Sequence, residues 1–227
     1  MPADGAEANA AFCDEIAGVA LAVSIGEGYE GIDSSLAAAE DAAPDEIRAD
    51  VTTMADENRA QVAARCAART RGAGHPSDDF FAAATTVGDY MADNCGYQVI
   101  DVTAMDYALA GIPTDAEAGT TLIRITNDGV GYHEVVLQRV HRGETRSIVE
   151  TLALPEEEGG DFLDYLGSAF APPGLGNWTV VNLSAGRHAA VCFIPTGATT
   201  PSLHSGQVDD TAWPHASQDM LAEMQVS

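Results

Sequence analysis

Lysine is absent from this sequence of 227 residues, so all ten basic side chains are arginines. Aspartate and glutamate number 35, which gives a formal net charge of −25 at pH 7. A field of this sign repels phosphate backbones and anionic lipid headgroups. We therefore expect no nucleic-acid binding and no attachment to an acidic membrane surface, whereas cationic partners and metal ions are favoured. The same charge also serves solubility, so charge alone identifies no ligand.

Long apolar segments are lacking as well. No stretch approaches the roughly 20 apolar residues that a membrane-spanning helix needs. The opening MPADGAEANAAF has no basic segment followed by an apolar one, as a secretory signal would have. This opening is similar to the tether that follows the anchor cysteine of exported lipoproteins, and the first half weakly resembles their helical domains. We expect export, with its signal and any lipid anchor outside the printed residues.

Several catalytic motifs are also missing. The chain contains no phosphate-binding glycine-rich loop, no nucleophile elbow, no Cys-x-x-Cys pair and no His-Glu-x-x-His. These absences argue against a hydrolase and against a nucleotide-dependent enzyme. We predict that the chain is not an enzyme.

The first half of the chain has helical periodicity. The length of the whole sequence, 227 residues, favours two modest domains over one. Residues 6–96 are rich in alanine, and their apolar positions recur at helical spacing. The last helix begins after Ser77, which supplies a capping hydroxyl, and ends at Gly96. We predict a helical bundle domain over residues 1–96.

The second half changes to short runs rich in β-branched residues, separated by turn signals. The runs are YQVIDVTAMDYAL, TTLIRIT, HEVVLQRV, TRSIVETLAL, WTVVNL, RHAAVCFI and MLAEMQV. About seven such strands are typical of a β-sandwich. An acidic helix and loop is expected over residues 155–176, between strands. The predicted fold is thus α+β multidomain, with a β-sandwich domain over residues 97–227.

Four cysteines, at positions 13, 66, 95 and 192, permit three fully paired connectivities. Cys13 opens the first predicted helix and Cys95 closes the last, so antiparallel packing would bring them to the same end of the bundle. We predict a disulfide between them. Cys66 is left unassigned, and a bond between Cys66 and Cys192 stays open as the alternative to a free thiol at Cys192.

Three segments of the second half resemble cupredoxins, the family of blue copper proteins. The first segment is TTLIRITNDGVGYHEVVL. It is similar to the cupredoxin strand-turn-strand in which an Asn-containing turn precedes the first histidine ligand, and this places His133 in the position of that ligand. The strand from Gly186 to Cys192 resembles the one that ends in the ligand cysteine, and PHASQDM has the family spacing of His215 and Met220. The resemblance implies a Greek-key sandwich and one type 1-like copper, held by His133, Cys192, His215 and Met220.

The chain departs from the family pattern at three places. Twenty-two residues separate Cys192 from His215, where the best-known members have only a few. Asp219 stands where glycine usually precedes the methionine, and Glu134 stands where plastocyanins carry asparagine.

Other candidate residues are weighed by strand alternation and position. His204 lies in the long loop before His215 and is expected to be solvent-exposed, with a role as substitute ligand as the alternative. Met224 is expected in the core and His188 as an ordinary strand residue, because each lies on a regular alternation. His75 and His141 are expected in solvent-exposed turns.

The function implied by the resemblance is that of an extracytoplasmic single-electron carrier that works with a redox partner protein. Two alternatives remain open. One is a metal-free interaction module built on the same fold, and the other is a copper carrier without a redox role.

Overall fold

The computed structural model describes residues 3–24, 29–68, 76–198 and 213–227. Four helices occupy the described residues before Gly96: α1 (Ala3–Ser24), α2 (Tyr29–Ala42), α3 (Arg48–Ala68) and α4 (Asp78–Asn94). Each packs against the next along the chain. The predicted helical N-terminal half is confirmed.

Helix α4 begins and ends at the predicted residues. The Ser77 hydroxyl accepts a hydrogen bond from the backbone N–H of Phe80 at 3.2 Å, which satisfies one of the free N–H groups of the first turn. At the other end, the N–H of Cys95 donates to the carbonyl of Met91, and Gly96 follows with φ +66°. A left-handed residue after the last turn is the usual helix stop, and glycine adopts it without a steric cost.

The described residues after Gly96 form a sandwich of two sheets with nine strands. These are β1 (Gln98–Met105), β2 (Ala108–Ala110), β3 (Asp115–Ala116), β4 (Gly119–Asn127), β5 (His133–Val140), β6 (Leu163–Ala171), β7 (Gly176–Leu183), β8 (Gly186–Val191) and β9 (Leu221–Val226). One sheet has the order β2-β1-β4-β7 and the other β3-β9-β8-β5-β6. The predicted fold class, a helical part followed by a β-sandwich, is confirmed.

The segment TRSIVETLAL was predicted as a strand, and this is wrong. It contains helix α5 (Ile148–Leu152), which begins with a capping box. The Ser147 side chain accepts from the N–H of Glu150, and the Glu150 carboxylate accepts from the N–H of Ser147. These two reciprocal bonds satisfy free N–H groups and outweigh the β preference of Ile148 and Val149.

The predicted acidic helix and loop over residues 155–176 is only partly right. A short helix α6 (Glu156–Gly159) and a 3-10 turn (Gly160–Phe162) are present, but strand β6 follows. β6 pairs with β5 along its whole length, from His133 opposite Ala171 to Val140 opposite Leu163. Pairing with β5 determines the conformation of this segment, whose own sequence contains Asp164 and Gly167, residue types that are uncommon within strands. The run YQVIDVTAMDYAL likewise forms two strands, β1 and β2, joined by a turn at Asp106 and Tyr107.

Two hydrophobic cores lie on opposite faces of the sheet β2-β1-β4-β7. The inner core lies between the two sheets and contains residues such as Ile123, Val181 and Met224, so the expected position of Met224 is confirmed. The outer face of β4 and β7 contributes Leu122, Trp178 and Val180 to the core of the helices. Since both faces of this sheet are covered, β7 is buried at nearly every position.

This shared core bears on the division at Gly96, which we retain as a proposal. An isolated fragment of residues 97–227 is expected to keep its β structure but to be several kcal/mol less stable than the full chain, because exposing each buried large apolar side chain costs roughly 1.5–3 kcal/mol. Circular dichroism with urea denaturation of both proteins tests this. A fragment as stable as the full chain would show that the helical core contributes nothing to the sandwich.

The predicted disulfide between Cys13 and Cys95 is confirmed, with a Cα–Cα distance of 5.5 Å. Cys13 lies in the middle of α1 and does not open it as expected, because α1 extends ten residues further toward the N-terminus. The Tyr97 hydroxyl donates to the Cys13 carbonyl at 2.5 Å beside the bond. The side chain of Cys66 lies outside the described part, and Cys192 is a free thiol.

Within the described residues, no helix combines the length and the apolar character that crossing a bilayer requires.

Candidate metal centre

The residues with metal-binding side chains meet at one end of the sandwich, where several strands begin or stop. His133 is the first residue of β5, and Cys192 directly follows β8. His215 opens a 3-10 turn (His215–Gln218), and Met220 directly precedes β9. Three of these residues thus lie at or directly beside a strand of the sandwich, and His215 lies in the turn that precedes β9.

The turn before His133 is built by the side chain of Asn127, which is fully buried at the end of β4. Its amide donates to the carbonyls of Gly131 and Ala171, both at 2.8 Å. Its oxygen accepts from the N–H of Gly129 at 2.9 Å, as an asparagine does when it directs a turn. The Asn-containing turn that the sequence singled out therefore fixes where β5 starts and where His133 sits.

The long segment between Cys192 and His215 is closed at its base by backbone hydrogen bonds. The N–H of Thr196 donates to the carbonyl of Trp213 at 2.8 Å, and the N–H of His215 donates to that of Ile194 at 3.0 Å. A bridge between Pro195 and Pro214 lies between these bonds. The effective link from Cys192 to His215 is therefore short, because this ladder joins the two ends of the segment. His204 lies outside the described residues.

The backbone conformation of Asp219 explains why this position, the second departure from the family pattern, is usually glycine. Its φ is +66°, in the left-handed region, where glycine is the residue of lowest cost. Aspartate is among the few other residues that tolerate this conformation. The backbone thus makes the turn into β9 with aspartate in the place where glycine is usual.

Two imidazoles and one thiol converge at this end. The Nδ1 atoms of His133 and His215 are 3.2 Å apart, and Nδ1 of His215 is 3.5 Å from Sγ of Cys192. One ligand atom from each of the three residues lies within 4.8 Å of the others, so the group can hold a metal ion. All three side chains are buried, with at most 5% of any residue exposed.

Met220 has no exposed surface and belongs to the same core as Cys192. Its carbonyl accepts from the N–H of Cys192 at 3.1 Å, and its N–H donates to the carbonyl of His215 at 3.2 Å. These bonds fix the backbone of Met220 against the backbones of two of the converging residues.

Burial favours the neutral forms of Cys192 and His215. Burial raises the pKa of the Cys192 thiol to about 12, and the nearby Glu134 carboxylate adds to the effect. Burial, together with the neighbouring His133, lowers the pKa of His215. A neutral imidazole is the form that binds a metal, whereas the thiol must release its proton to do so. Metal binding at neutral pH is therefore coupled to proton release from Cys192.

Glu134 connects β5 to the cysteine. Its backbone N–H donates to Sγ of Cys192 at 3.5 Å, and its carboxylate accepts from the N–H of Phe193 at 3.0 Å. Burial raises the pKa of the Glu134 carboxyl to about 7, although the hydrogen bond from Phe193 opposes this. The residue that departs from the plastocyanin pattern thus still ties the strand of His133 to the segment of Cys192.

Sequence reasoning missed two residues of the centre, Asp106 and Tyr107. Oδ1 of Asp106 lies 3.2 Å from Nε2 of His133, and the ring of Tyr107 meets the ring of His215 edge-on, with centroids 5.4 Å apart. Both lie in the turn between β1 and β2, which the sequence analysis placed inside a strand. The sequence signal was Asp106 within this run, since aspartate favours turns.

The remaining described histidines lie away from the centre. His188 is a buried residue of β8 whose Nδ1 is 3.1 Å from the carbonyl oxygen of Gly186, in line with the expected strand position. His141 is partly exposed and its Nε2 lies 2.7 Å from the carboxylate of Asp164. His75 lies outside the described residues.

His188 gives a prediction for acid stability. Burial lowers its pKa in the folded protein, so the unfolded chain binds more protons near its ordinary value of about 6.5. Stability is therefore fully present above that value and is lost as the pH falls below it. We expect His188→Gln, which keeps an N–H donor for Gly186, to flatten the loss of unfolding free energy between about pH 7 and 5. His141→Gln is the matched control, and an equal effect of both variants in urea titrations would contradict this assignment.

No protein-family model and no curated protein matches the sequence. Solved structures that are similar to the C-terminal half include auracyanin from the photosynthetic bacterium Roseiflexus castenholzii, at 13% identity and a TM-score of 0.35, covering 57% of this chain and 97% of that one. Auracyanin A from Chloroflexus aurantiacus, a blue copper protein, has 17% identity and a TM-score of 0.36 and covers 58% and 100%. Reduced rusticyanin has 16% identity and a TM-score of 0.32 and covers 57% and 80%.

Proposed function

We propose that this protein binds one copper ion through His133, Cys192 and His215, with Met220 as a weak axial ligand, and carries single electrons outside the cytoplasm. The observation that carries the proposal is the convergence of two imidazoles and one thiol on buried residues, with one ligand atom of each within 4.8 Å of the others. A thiolate and two imidazoles with a distant thioether are the donor set of blue copper sites. The solved structures that are similar include a blue copper protein, which supports the same choice of metal.

Copper, when bound, supplies the one-electron couple between its two oxidation states. The chain contributes a rigid and dry environment. His133 and Cys192 flank strands of the sandwich, and the backbone bonds of Met220 hold it against Cys192 and His215. Because these anchors resist movement, the ligands would shift little when an electron is gained or lost.

The surface around the centre supports exchange with a partner protein. Six large apolar side chains are exposed among the described residues, and four of them lie in segments that adjoin the residues of the centre: Met105, Tyr107, Val130 and Trp213. Exposed apolar side chains that cluster in this way mark interaction sites. Since the chain carries a net charge of −25, a redox partner with a basic rim around an apolar contact is favoured.

A location outside the cytoplasm is supported by the Cys13–Cys95 disulfide, since such bonds persist in oxidising compartments. The free thiol at Cys192 is compatible with this location, because its sulfur is fully buried and its raised pKa keeps it unreactive.

Voltammetry of the copper-loaded full chain tests the electron-carrier role. We expect one reversible one-electron wave, and electron exchange that is faster with cationic than with anionic mediators of equal potential and that slows as salt is added. Tight copper binding without a reversible wave would favour a copper carrier without a redox role. Absence of copper binding would favour the metal-free interaction module.

A further inference from the structure

The turn between β1 and β2 touches both histidines of the centre. Asp106 reaches His133, and Tyr107 packs its ring edge against His215. We infer that this turn holds both imidazoles in their metal-binding orientation before any metal arrives. This inference rests on the proposed function, because it assigns positioning residues to that same site.

The contact of Asp106 fixes the tautomer of His133. A carboxylate only accepts hydrogen bonds, so Nε2 of His133 carries the proton and donates it to Oδ1 at 3.2 Å. The lone pair then lies on Nδ1, the atom that faces His215 at 3.2 Å. A carboxylate behind a metal-binding histidine has this effect in general, since it sets the tautomer and the ring orientation and raises ligand basicity.

Asp106 is itself held in place from the loop before β5. Its Oδ1 also accepts from the N–H of Val130 at 3.1 Å. A side-chain carbon at Gly129 would lie 2.5 Å from Nε2 of His133 and 2.7 Å from Oδ1 of Asp106. Glycine is therefore required at position 129 for the carboxylate and the imidazole to meet.

Tyr107 adopts a backbone conformation that is costly for its residue type. Its φ is +64°, in the left-handed region, which bulky side chains rarely occupy. Backbone strain of this kind persists where the surrounding structure imposes it, and it is concentrated at functional sites. Here the conformation directs the ring to His215, which is only 5% exposed while Tyr107 itself is 41% exposed. Tyr107 thus covers the histidine on its solvent side.

The test compares Asp106→Ala and Asp106→Asn with Asp128→Asn. Asp128 is an exposed residue of the neighbouring loop, so the control removes one negative charge nearby without touching His133. We expect Asp106→Ala to lower the affinity for Cu(II) by about 10- to 100-fold. Asp106→Asn should lose less, since the amide oxygen can still accept the bond, and Asp128→Asn should leave the affinity unchanged. Equal losses in Asp106→Asn and Asp128→Asn would reduce the effect to charge alone and overturn the inference.

A second measurement uses the metal-free protein and separates this inference from the proposed function. Nitrogen-detected NMR of the imidazoles should show the His133 proton on Nε2 in the native chain and a mixture of tautomers in Asp106→Ala. Tyr107→Leu should broaden the His215 signals, whereas Tyr107→Phe should not. If the native chain binds no copper, the proposed function fails while this spectrum still decides the role of the turn. If Asp106→Ala has the native tautomer and the native copper affinity, the inference fails and the proposed function stands.

Discussion

Replacing Cys192 with serine is expected to abolish the intense thiolate-to-copper absorption and to lower the affinity for Cu(II) by more than about 100-fold. Loss of a residue that only supports a metal ligand lowers affinity by about 10- to 100-fold, and loss of the ligand itself should cost more. The sulfur is one of three converging ligand atoms and is the only soft one among them. A serine hydroxyl does not ionise at neutral pH and offers a hard oxygen. Absorption spectroscopy of protein with one equivalent of Cu(II) gives the first quantity, and competition with a chelator gives the second.

Two further variants serve as controls for Cys192→Ser. Ala190→Ser places a hydroxyl on the same face of β8, two residues away and equally buried, so it reports the cost of a buried hydroxyl alone. Met220→Leu conserves volume in the core and should keep the absorption while changing the reduction potential, because the axial bond is long and weak. If Cys192→Ser kept the absorption, the cysteine would not be a ligand.

Removing the disulfide with Cys13→Ala/Cys95→Ala is expected to cost roughly 3–5 kcal/mol of unfolding free energy, since the bond closes a loop between residues 82 positions apart. The loss arises chiefly because the unfolded chain gains freedom. Urea denaturation of the variant and of the native chain measures it. The copper spectrum should be unchanged, because Cys13 belongs to the helical core and Cys192 to the core between the sheets.

Single variants complete this second experiment. Cys13→Ala and Cys95→Ala should each lose as much stability as the pair, since either one removes the whole bond. Peptide mapping that finds both thiols free in the native protein would contradict the presence of the disulfide. A double variant as stable as the native protein would show that the disulfide does not stabilise the fold.

The sequence allowed the four metal-binding candidates to be predicted because three of its segments resemble, in residue type and order, the ligand-bearing segments of cupredoxins. It did not reveal how the long segment after Cys192 is closed, because the bonds between Thr196 and Trp213 join residues 17 positions apart. Asp106 and Tyr107 were missed for a similar reason. Their contacts with His133 and His215 exist only once β1, β5 and the loop before His215 have come together.

Local signals explain the errors in secondary structure. The capping pair Ser147 and Glu150 was visible in TRSIVETLAL, but the β-branched residues between them received more weight. Strand β6 could not be predicted from its own residues, since pairing with β5 determines its conformation. The shared core had a sign in β7, where Trp178 and Val180 lie on one face and Val181 and Leu183 on the other, so that both faces carry apolar side chains.

Titration of the reduced protein with Cu(II), followed by absorption and by copper content, tests whether Cys192 binds copper together with the two histidines. We expect uptake of one copper per chain, with an intense thiolate-to-copper band that grows in proportion and saturates at one equivalent. We also expect proton release, because burial raises the pKa of Cys192 to about 12 before the metal binds. Failure to retain copper with Cys192 free, or retention of copper without that band, would contradict a copper site at Cys192.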